Sequence, residues 1–307
     1  MTKTQGNRLA KAAVIVMSSI ILSRLTGFVR ELSLSWKIGL SWVQDAYVAA
    51  FTVPDLMYTM LVGGTISAAL IPFLSGAIEK NEEDKGWESV STFISAIFIG
   101  MIIFSLIGIV FAPQIIPIVA PGFSQKSPET RDLAIRLTRI LFPSVAFLML
   151  AGICNGVLNT YKRFAAAAYG PTIYNIGCTI SILAFAGEQP GDMEKVATGV
   201  AVSSAIYFFF QLSFARNHVS NFRPNLRIKS QGFIRLVKQA IPSLISSSVT
   251  QLNVIVSVSF VSLAAVTGSV AAFKNANTLW QLPYGIFAMG IGTAILPTLS
   301  GRYAVGD

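Results

Sequence analysis

Ser89-Val90-Ser91-Thr92-Phe93-Ile94-Ser95-Ala96-Ile97-Phe98-Ile99-Gly100-Met101-Ile102-Ile103-Phe104-Ser105-Leu106-Ile107-Gly108-Ile109-Val110-Phe111-Ala112 contains no acidic, basic or histidine side chain. As an α-helix a run of this length exceeds the ~20 residues that cross the hydrocarbon core of a bilayer. Charges crowd just before it, at Glu82, Glu83, Asp84 and Lys85, and Pro113 follows it. Runs of this kind recur along all 307 residues, so that 53% of the chain is hydrophobic and only 12% charged, with a mean hydropathy of +0.64. Soluble chains carry about 25% charged residues. An all-α polytopic membrane protein is the class that fits.

The net charge of +9 would point to a nucleic-acid partner in a soluble chain. Here the excess cations sit in short loops, where membrane topology explains them, and no nucleic-acid partner is expected. Cys154 and Cys178 both fall inside apolar runs and read as small buried thiols. The single histidine, His218, lies in a basic connecting segment, which argues against a histidine metal site or a histidine-based triad. With no zinc, P-loop or dinucleotide signature, no cofactor or metal is expected.

Apolar stretches between charged or Gly/Pro-marked breaks predict about eight spans, at 9–30, 45–78, 89–112, 131–159, 165–187, 194–215, 232–263 and 269–303. Kinks are expected at Pro54, Pro143 and Pro283. With the N-terminus inside, the cytoplasmic segments hold most of the loop Lys and Arg, including Lys80, Lys85, Lys162, Arg163, Arg216, Arg223, Arg227 and Lys229. The opposite loops hold Lys37, Lys126 and Arg131, with Lys195 at a helix start. This asymmetry places both termini in the cytoplasm.

One internal repeat stands out. Ala68-Ala69-Leu70-Ile71-Pro72-Phe73-Leu74-Ser75-Gly76 matches Thr293-Ala294-Ile295-Leu296-Pro297-Thr298-Leu299-Ser300-Gly301 at an offset of 225 residues. Six spans separate the partners, so the repeat is parallel. The expected organisation is an N-terminal six-helix lobe at 1–217, a cytoplasmic linker at 218–231, and the first two helices of a second lobe at 232–307. The sequence thus reads as a fragment or as a short homologue whose second lobe is incomplete.

Charges inside spans mark the candidate site, since an ionisable group in lipid is costly and normally faces a cavity or a partner. Arg24 and Arg30, six residues apart, fall about 120° apart on a helix and fit one wide cavity face. Snorkelling to the outer interface is the competing reading, because span 1 is expected to end there. Two guanidiniums at a cavity wall suit a phosphate or pyrophosphate through bidentate charge-assisted hydrogen bonds. Asp45 could orient one of them, bind a cation, or simply cap a helix.

Span 7 carries a polar stripe, Ser243, Ser246, Thr250, Asn253 and Ser257, which could line a cavity or mediate helix packing. Span 8 carries Lys274, Asn275, Asn277 and Gln281, with Lys274 facing a cavity or the outer interface. Arg136 and Arg139 lie near an outer loop and read as interface anchors.

These motifs resemble a known family. Ser23-Arg24-Leu25-Thr26-Gly27-Phe28-Val29-Arg30-Glu31 is similar to the first-helix signature of the MurJ/MviN family of lipid II flippases. The likeness continues through Gln44-Asp45-Ala46-Tyr47, Val53-Pro54-Asp55-Leu56, Ala120-Pro121-Gly122-Phe123, Asn155-Gly156-Val157-Leu158-Asn159, Pro171-Thr172-Ile173-Tyr174-Asn175 and Gly292-Thr293-Ala294-Ile295-Leu296-Pro297. The resemblance implies the multidrug/oligosaccharidyl-lipid/polysaccharide exporter fold, two six-helix lobes around a central cavity. It implies translocation of undecaprenyl-pyrophosphate-linked peptidoglycan precursor, lipid II, across the bacterial cytoplasmic membrane by alternating access. By the resemblance, Arg24, Arg30 and Asp45 are substrate-site residues. Lys274 and Asn277 join them, and Ser23, Gly27, Ser246, Thr250 and Asn253 are expected to line the cavity.

The chain departs from the family pattern in places. Positions where the family often has an arginine pair are Tyr58 and Thr59, and an acidic residue one turn later is Gly63. An arginine of the eighth helix falls on Thr278 and a nearby glutamate on Gln281. Lys274, one turn before Thr278, is expected to restore part of the missing charge. The departures keep alternatives open: export of another polyprenyl-linked oligosaccharide, or a non-transporting partner of cell-wall synthesis or division proteins. An enzyme is not expected, since Glu82, Glu83 and Asp84 are the only acidic cluster and lack a catalytic companion set.

Overall fold

A computed structural model of the protein describes residues 3–264 and 266–283, which form helices joined by short turns with no strand among them. In chain order these are α1 (Lys3–Ile38), α2 (Trp42–Tyr58), a π-helical stretch (Thr59–Leu70), α3 (Ile71–Glu79), α4 (Glu83–Val119), α5 (Pro121–Lys126), α6 (Pro128–Thr160), α7 (Phe164–Phe185), α8 (Pro190–Val219), α9 (Gln231–Ser262) and α10 (Ser269–Pro283). Four of them, α4, α6, α8 and α9, are long and apolar enough to cross a membrane. Along α4 the side chains of Ile102, Ile103, Leu106, Ile107 and Val110 are exposed. A belt of large aliphatic groups turned outward on a helix this long and apolar suits contact with lipid.

The helices lie close to the expected spans, with three differences. Span 1 was expected to stop at Arg30; α1 runs on to Ile38 and turns at Gly39, which has φ 62. Span 2 is continuous from Trp42 to Glu79, but its middle winds as a π-helix after the proline at Pro54. A short extra helix, α5, sits between spans 3 and 4. The part of span 8 beyond Pro283, with the second copy of the repeat at 293–301, lies outside the described residues.

Two apolar cores hold the bundle together. Leu34 and Ile38 of α1, Val43 and Tyr47 of α2, Leu137 and Leu141 of α6, Ile182 of α7 and Val196 of α8 form one. The other joins Ile66 and Leu70 of the π-stretch to Leu74, Trp87, Phe93, Met149 and Leu236, so α9 is held against the π-stretch and α4. Cys178 is buried in the first core and Cys154 in a smaller cluster between α6, α7 and α8, and both are unpaired thiols.

Proline inside a helix leaves the carbonyl four residues earlier without its N–H, and in lipid that carbonyl needs another donor. Pro171 orphans the carbonyl of Ala167, which accepts from Asn155 Nδ2 of α6 and Gln211 Nε2 of α8, both at 3.0 Å. Pro113 orphans Ile109, and Arg139 Nε of α6 donates to that carbonyl at 3.2 Å. Arg136 pairs with Glu194 of α8 at 2.7 Å. These arginines therefore bind neighbouring helices.

At the end of the bundle bearing the α1–α2 and α9–α10 turns, the backbones touch. Gly268, at φ 84, leaves room for the carbonyl of Leu40, which a Cβ would meet at 2.4 Å. Gly122 approaches the Ser262 carbonyl still more closely and donates its N–H to Ser262 Oγ at 3.1 Å.

The polar connection between α8 and α9 is strapped along the first turns of α4. Asn221 Nδ2 donates to Glu83 and the Arg223 N–H to Ser91 Oγ, at 3.4 and 3.1 Å. Asn225 donates to the Glu88 carbonyl at 3.3 Å and accepts from Thr92, and Arg227 pairs with the Glu88 carboxylate. Beside it, Tyr161 bonds Glu83, accepts from Trp87 Nε1 at 2.8 Å and stacks on His218 at 3.9 Å between ring centroids.

Candidate functional site

The sequence builds a cavity where α1, α2, α7, α9 and α10 converge. Its volume is about 670 Å³. From α1 it takes Ser23, Arg24, Gly27, Arg30 and Glu31; because α1 extends two turns past Arg30, both arginines are set within the helix and not at its end. From α10 it takes Lys274, Asn277, Thr278 and Gln281, and from α9 Gln251, Val254 and Val258. The lining is also aromatic and hydroxylic, with Tyr47 and Tyr58 of α2, Tyr174 of α7 and Tyr207 of α8. Arg24, Arg30 and Lys274 stand against Glu31 and Asp55 among the ionisable lining residues, leaving one more cation than anions.

The three cations differ in how they are held. Arg30 Nη2 donates to Glu31 Oε1 at 2.7 Å and Nη1 to Asn175 Oδ1 at 3.3 Å; the Arg30 side chain retains 22% exposure. Arg24 is exposed, and among the described residues neither it nor Lys274 forms a salt bridge. Arg24, Lys274 and the preset Arg30 guanidinium around one cavity are suited to a multiply charged anion such as pyrophosphate. Among the described residues no three His, Cys, Asp or Glu side chains gather as a metal site would require.

Ser23, Gly27, Asn277 and Lys274 thus share the cavity with the two arginines. Asp45 does not line it. Its carboxylate is buried at 5% exposure and accepts from the Gly268 N–H at 2.7 Å and the Ala271 N–H at 2.8 Å. Asp45 therefore caps a helix, but the helix is α10 and not its own; Ser41 caps α2. Ser246, Thr250 and Asn253 also lie off the cavity, on exposed positions of α9. At 100° per residue their stripe is rotated about 105° from the Gln251–Val254–Val258 face. Periodicity finds a polar face but not the direction in which it points. Of the departures from the family pattern, Tyr58, Thr59, Thr278 and Gln281 all line the cavity, so the substitutions change its wall.

Comparison with known proteins now bears on this cavity. The family profile described as lipid II flippase MurJ matches residues 34–307. The chain belongs to the lipid II flippase MurJ family. Lipid II flippase MurJ of Burkholderia cenocepacia is 27% identical over 303 residues, covering 97% of this chain and 58% of the relative. A relative from Buchnera aphidicola subsp. Acyrthosiphon pisum is 28% identical over 302 residues, again with 97% and 58% covered. The chain therefore spans somewhat more than half the length of the curated relatives it matches. A solved structure of lipid II flippase MurJ in an inward closed conformation superposes with a TM-score of 0.76 at 27% identity, covering 95% of this chain and 59% of that one. An inward-facing multidrug resistance MATE family transporter of the MOP superfamily matches at TM-score 0.60 and 16% identity, over 89% of this chain and 63% of that one; it shares the fold. The MurJ family is one of membrane transporters, and this member is an integral inner-membrane protein with the MurJ/MATE-like helical fold.

Asn175 is the residue that reading the sequence for charge overlooks. It is neutral and sits in an apolar helix, so only its place in the Pro171–Asn175 motif marked it.

Proposed function

We propose that the protein translocates undecaprenyl-pyrophosphate-linked peptidoglycan precursor, lipid II, between leaflets by alternating access, as a transporter and not an enzyme. The observation that carries this reading is the convergence of Arg24 and Arg30 of α1 with Lys274 of α10 on one cavity, in a chain of this family. In this reading the arginines hold the pyrophosphate, the tyrosine wall packs against the head-group sugars, and the polyprenyl tail remains in the bilayer. Eight spans cross the membrane, with both termini cytoplasmic. Residues 1–217 form a six-helix lobe, 218–231 the linker and 232–307 the opening helices of a second lobe. The cations of the two lobes then meet across the cavity, and one anionic ligand touches both.

The test uses the full chain in proteoliposomes, with lipid II labelled on its head group and exposed to a membrane-impermeant reagent. Losing one charge-assisted contact costs about 1.5–3 kcal/mol, so Arg24→Ala and Arg30→Ala should each lower transport by about ten- to hundredfold while the protein stays folded. Folded variants that flip at the wild-type rate would contradict the roles given to the arginines. A second reading, a flippase for another polyprenyl-linked oligosaccharide, is favoured by the neutral Tyr58 and Thr278 in the wall. Competition between lipid II and lipid-linked sugars lacking the peptide separates the two.

A further inference from the structure

Arg30 is gripped from two helices. Glu31, its neighbour in α1, takes Nη2 at 2.7 Å, and Asn175 of α7 takes Nη1 through Oδ1 at 3.3 Å. The orientation of Asn175 is itself fixed, because Nδ2 donates to the carbonyl of Ser23 in α1 at 3.1 Å. Turning the amide over would set its N–H groups against the guanidinium and its oxygen against a carbonyl, both repulsive. Asn175 is buried at 9% exposure and passes Gly27, where a Cβ would stand 3.4 Å from Nδ2. A single carboxamide thus spans two turns of α1, tying Ser23 to Arg30 beside the cavity.

We propose that Asn175 is a positioning residue that aims the Arg30 guanidinium into the cavity while leaving its charge available. Glu31 already offsets one positive charge. A second carboxylate in place of Asn175 would still accept from the guanidinium, though without the tie to the Ser23 carbonyl, and would turn the local balance negative and repel a phosphate oxygen. A neutral acceptor fixes the group without that repulsion. The side chain at 175 then sets both the aim of Arg30 and its strength toward an anion. The inference rests on the reading of the cavity as a pyrophosphate site.

The experiment measures binding of undecaprenyl pyrophosphate to the full chain in nanodiscs, with Tm recorded for every variant. Asn175→Asp keeps the shape and should bind about tenfold more weakly or worse, with the Tm lost through the missing Ser23 bond offset by the new ion pair with Arg30. Asn175→Ala removes one neutral acceptor and should weaken binding about two- to tenfold. A side chain that only packs gives the opposite order, Asp equal to wild type and Ala impaired in step with its loss of Tm, and that order would overturn the proposal. If Asn175→Asp does not fold, Asn175→Ala decides: wild-type binding overturns the proposal, and loss of binding at unchanged Tm supports it. Arg30→Ala is the control for the underlying reading. If it binds as wild type, the pyrophosphate site and this inference fall together; if it loses binding while Asn175→Asp does not, only the role of Asn175 falls.

Discussion

Asp45→Ala removes the cap that fastens α2 to the N-terminus of α10. The buried carboxylate accepts the Gly268 and Ala271 N–H groups at 2.7 and 2.8 Å, and both bonds exist only while this end of the bundle is closed. Hydrogen bonds to a charged partner contribute about 1.5–3 kcal/mol each, and the helix N-terminus adds its own attraction for an anion. Water reaching the opened amides returns part of this. The closed end should therefore lose about 3 kcal/mol, a shift of about 150-fold in the opening equilibrium. Asp45→Asn keeps one acceptor and should lose roughly half as much. Spin labels at Trp36 and Val266, both more than 70% exposed, report the separation of α1 from the α9–α10 turn. The buried native cysteines stay unlabelled. In full-length protein the Asp45→Ala distance distribution should gain a longer component, with a lowered Tm. A distribution and a Tm that both match wild type would refute the cap as the fastening.

Other expectations follow from the same geometry. Gln211→Leu and Asn155→Leu should each be mild alone, since the Ala167 carbonyl keeps one donor. Together they should cost about 1–3 kcal/mol by thermal unfolding, and adding Pro171→Ala, which restores the helical N–H, should recover part of the loss. Arg139→Leu should lower Tm by orphaning the Ile109 carbonyl, and Pro113→Ala in that background should raise it again. Burial, followed by the hydrogen bond to Glu83, pushes the Tyr161 phenol up to about 12. Its unfolded value is about 10, so between these values the unfolded chain has lost a proton that the folded chain retains. Stability should hold below pH ~10 and fall as pH rises toward 12, with Tyr161→Phe lacking that component in alkaline unfolding titrations.

Much of the helical architecture was legible because lipid imposes one strong rule, long uncharged runs bounded by charge, and residues 89–112 obey it. Where a second force competes, the sequence misleads. Arg30 and Glu31 look like the end of span 1, yet burial of Leu34 and Ile38 in the first core carries α1 two turns further. The α9 stripe of Ser246, Thr250 and Asn253 is a genuine polar face, but its direction depends on how α9 rolls against the π-stretch and α4. Asp45 was recognisable as an acid at a helix start. That its partner would be α10, more than two hundred residues later, requires a tertiary contact that no local pattern encodes. Arg24, Arg30 and Lys274 were legible as candidates because charge in a span is rare. Asn175 was not, because an amide in an apolar helix has no such signature.

The strapped connection between α8 and α9 has a consequence for anyone handling this protein. With Arg227 and Lys229 on its path, and Pro224 shielding the bond after Arg223, the segment offers two cleavage points to trypsin. Main-chain and side-chain bonds from Asn221 to Arg227 pin it along α4, so a protease would have to peel it away before its backbone could fit an active-site cleft. The seam runs into Ser230, whose N–H donates to the Arg227 carbonyl at 2.9 Å and whose hydroxyl caps α9 by accepting the Phe233 N–H. The segment is therefore a stitched hem rather than a leash, and α9 enters the bundle already fastened to α4.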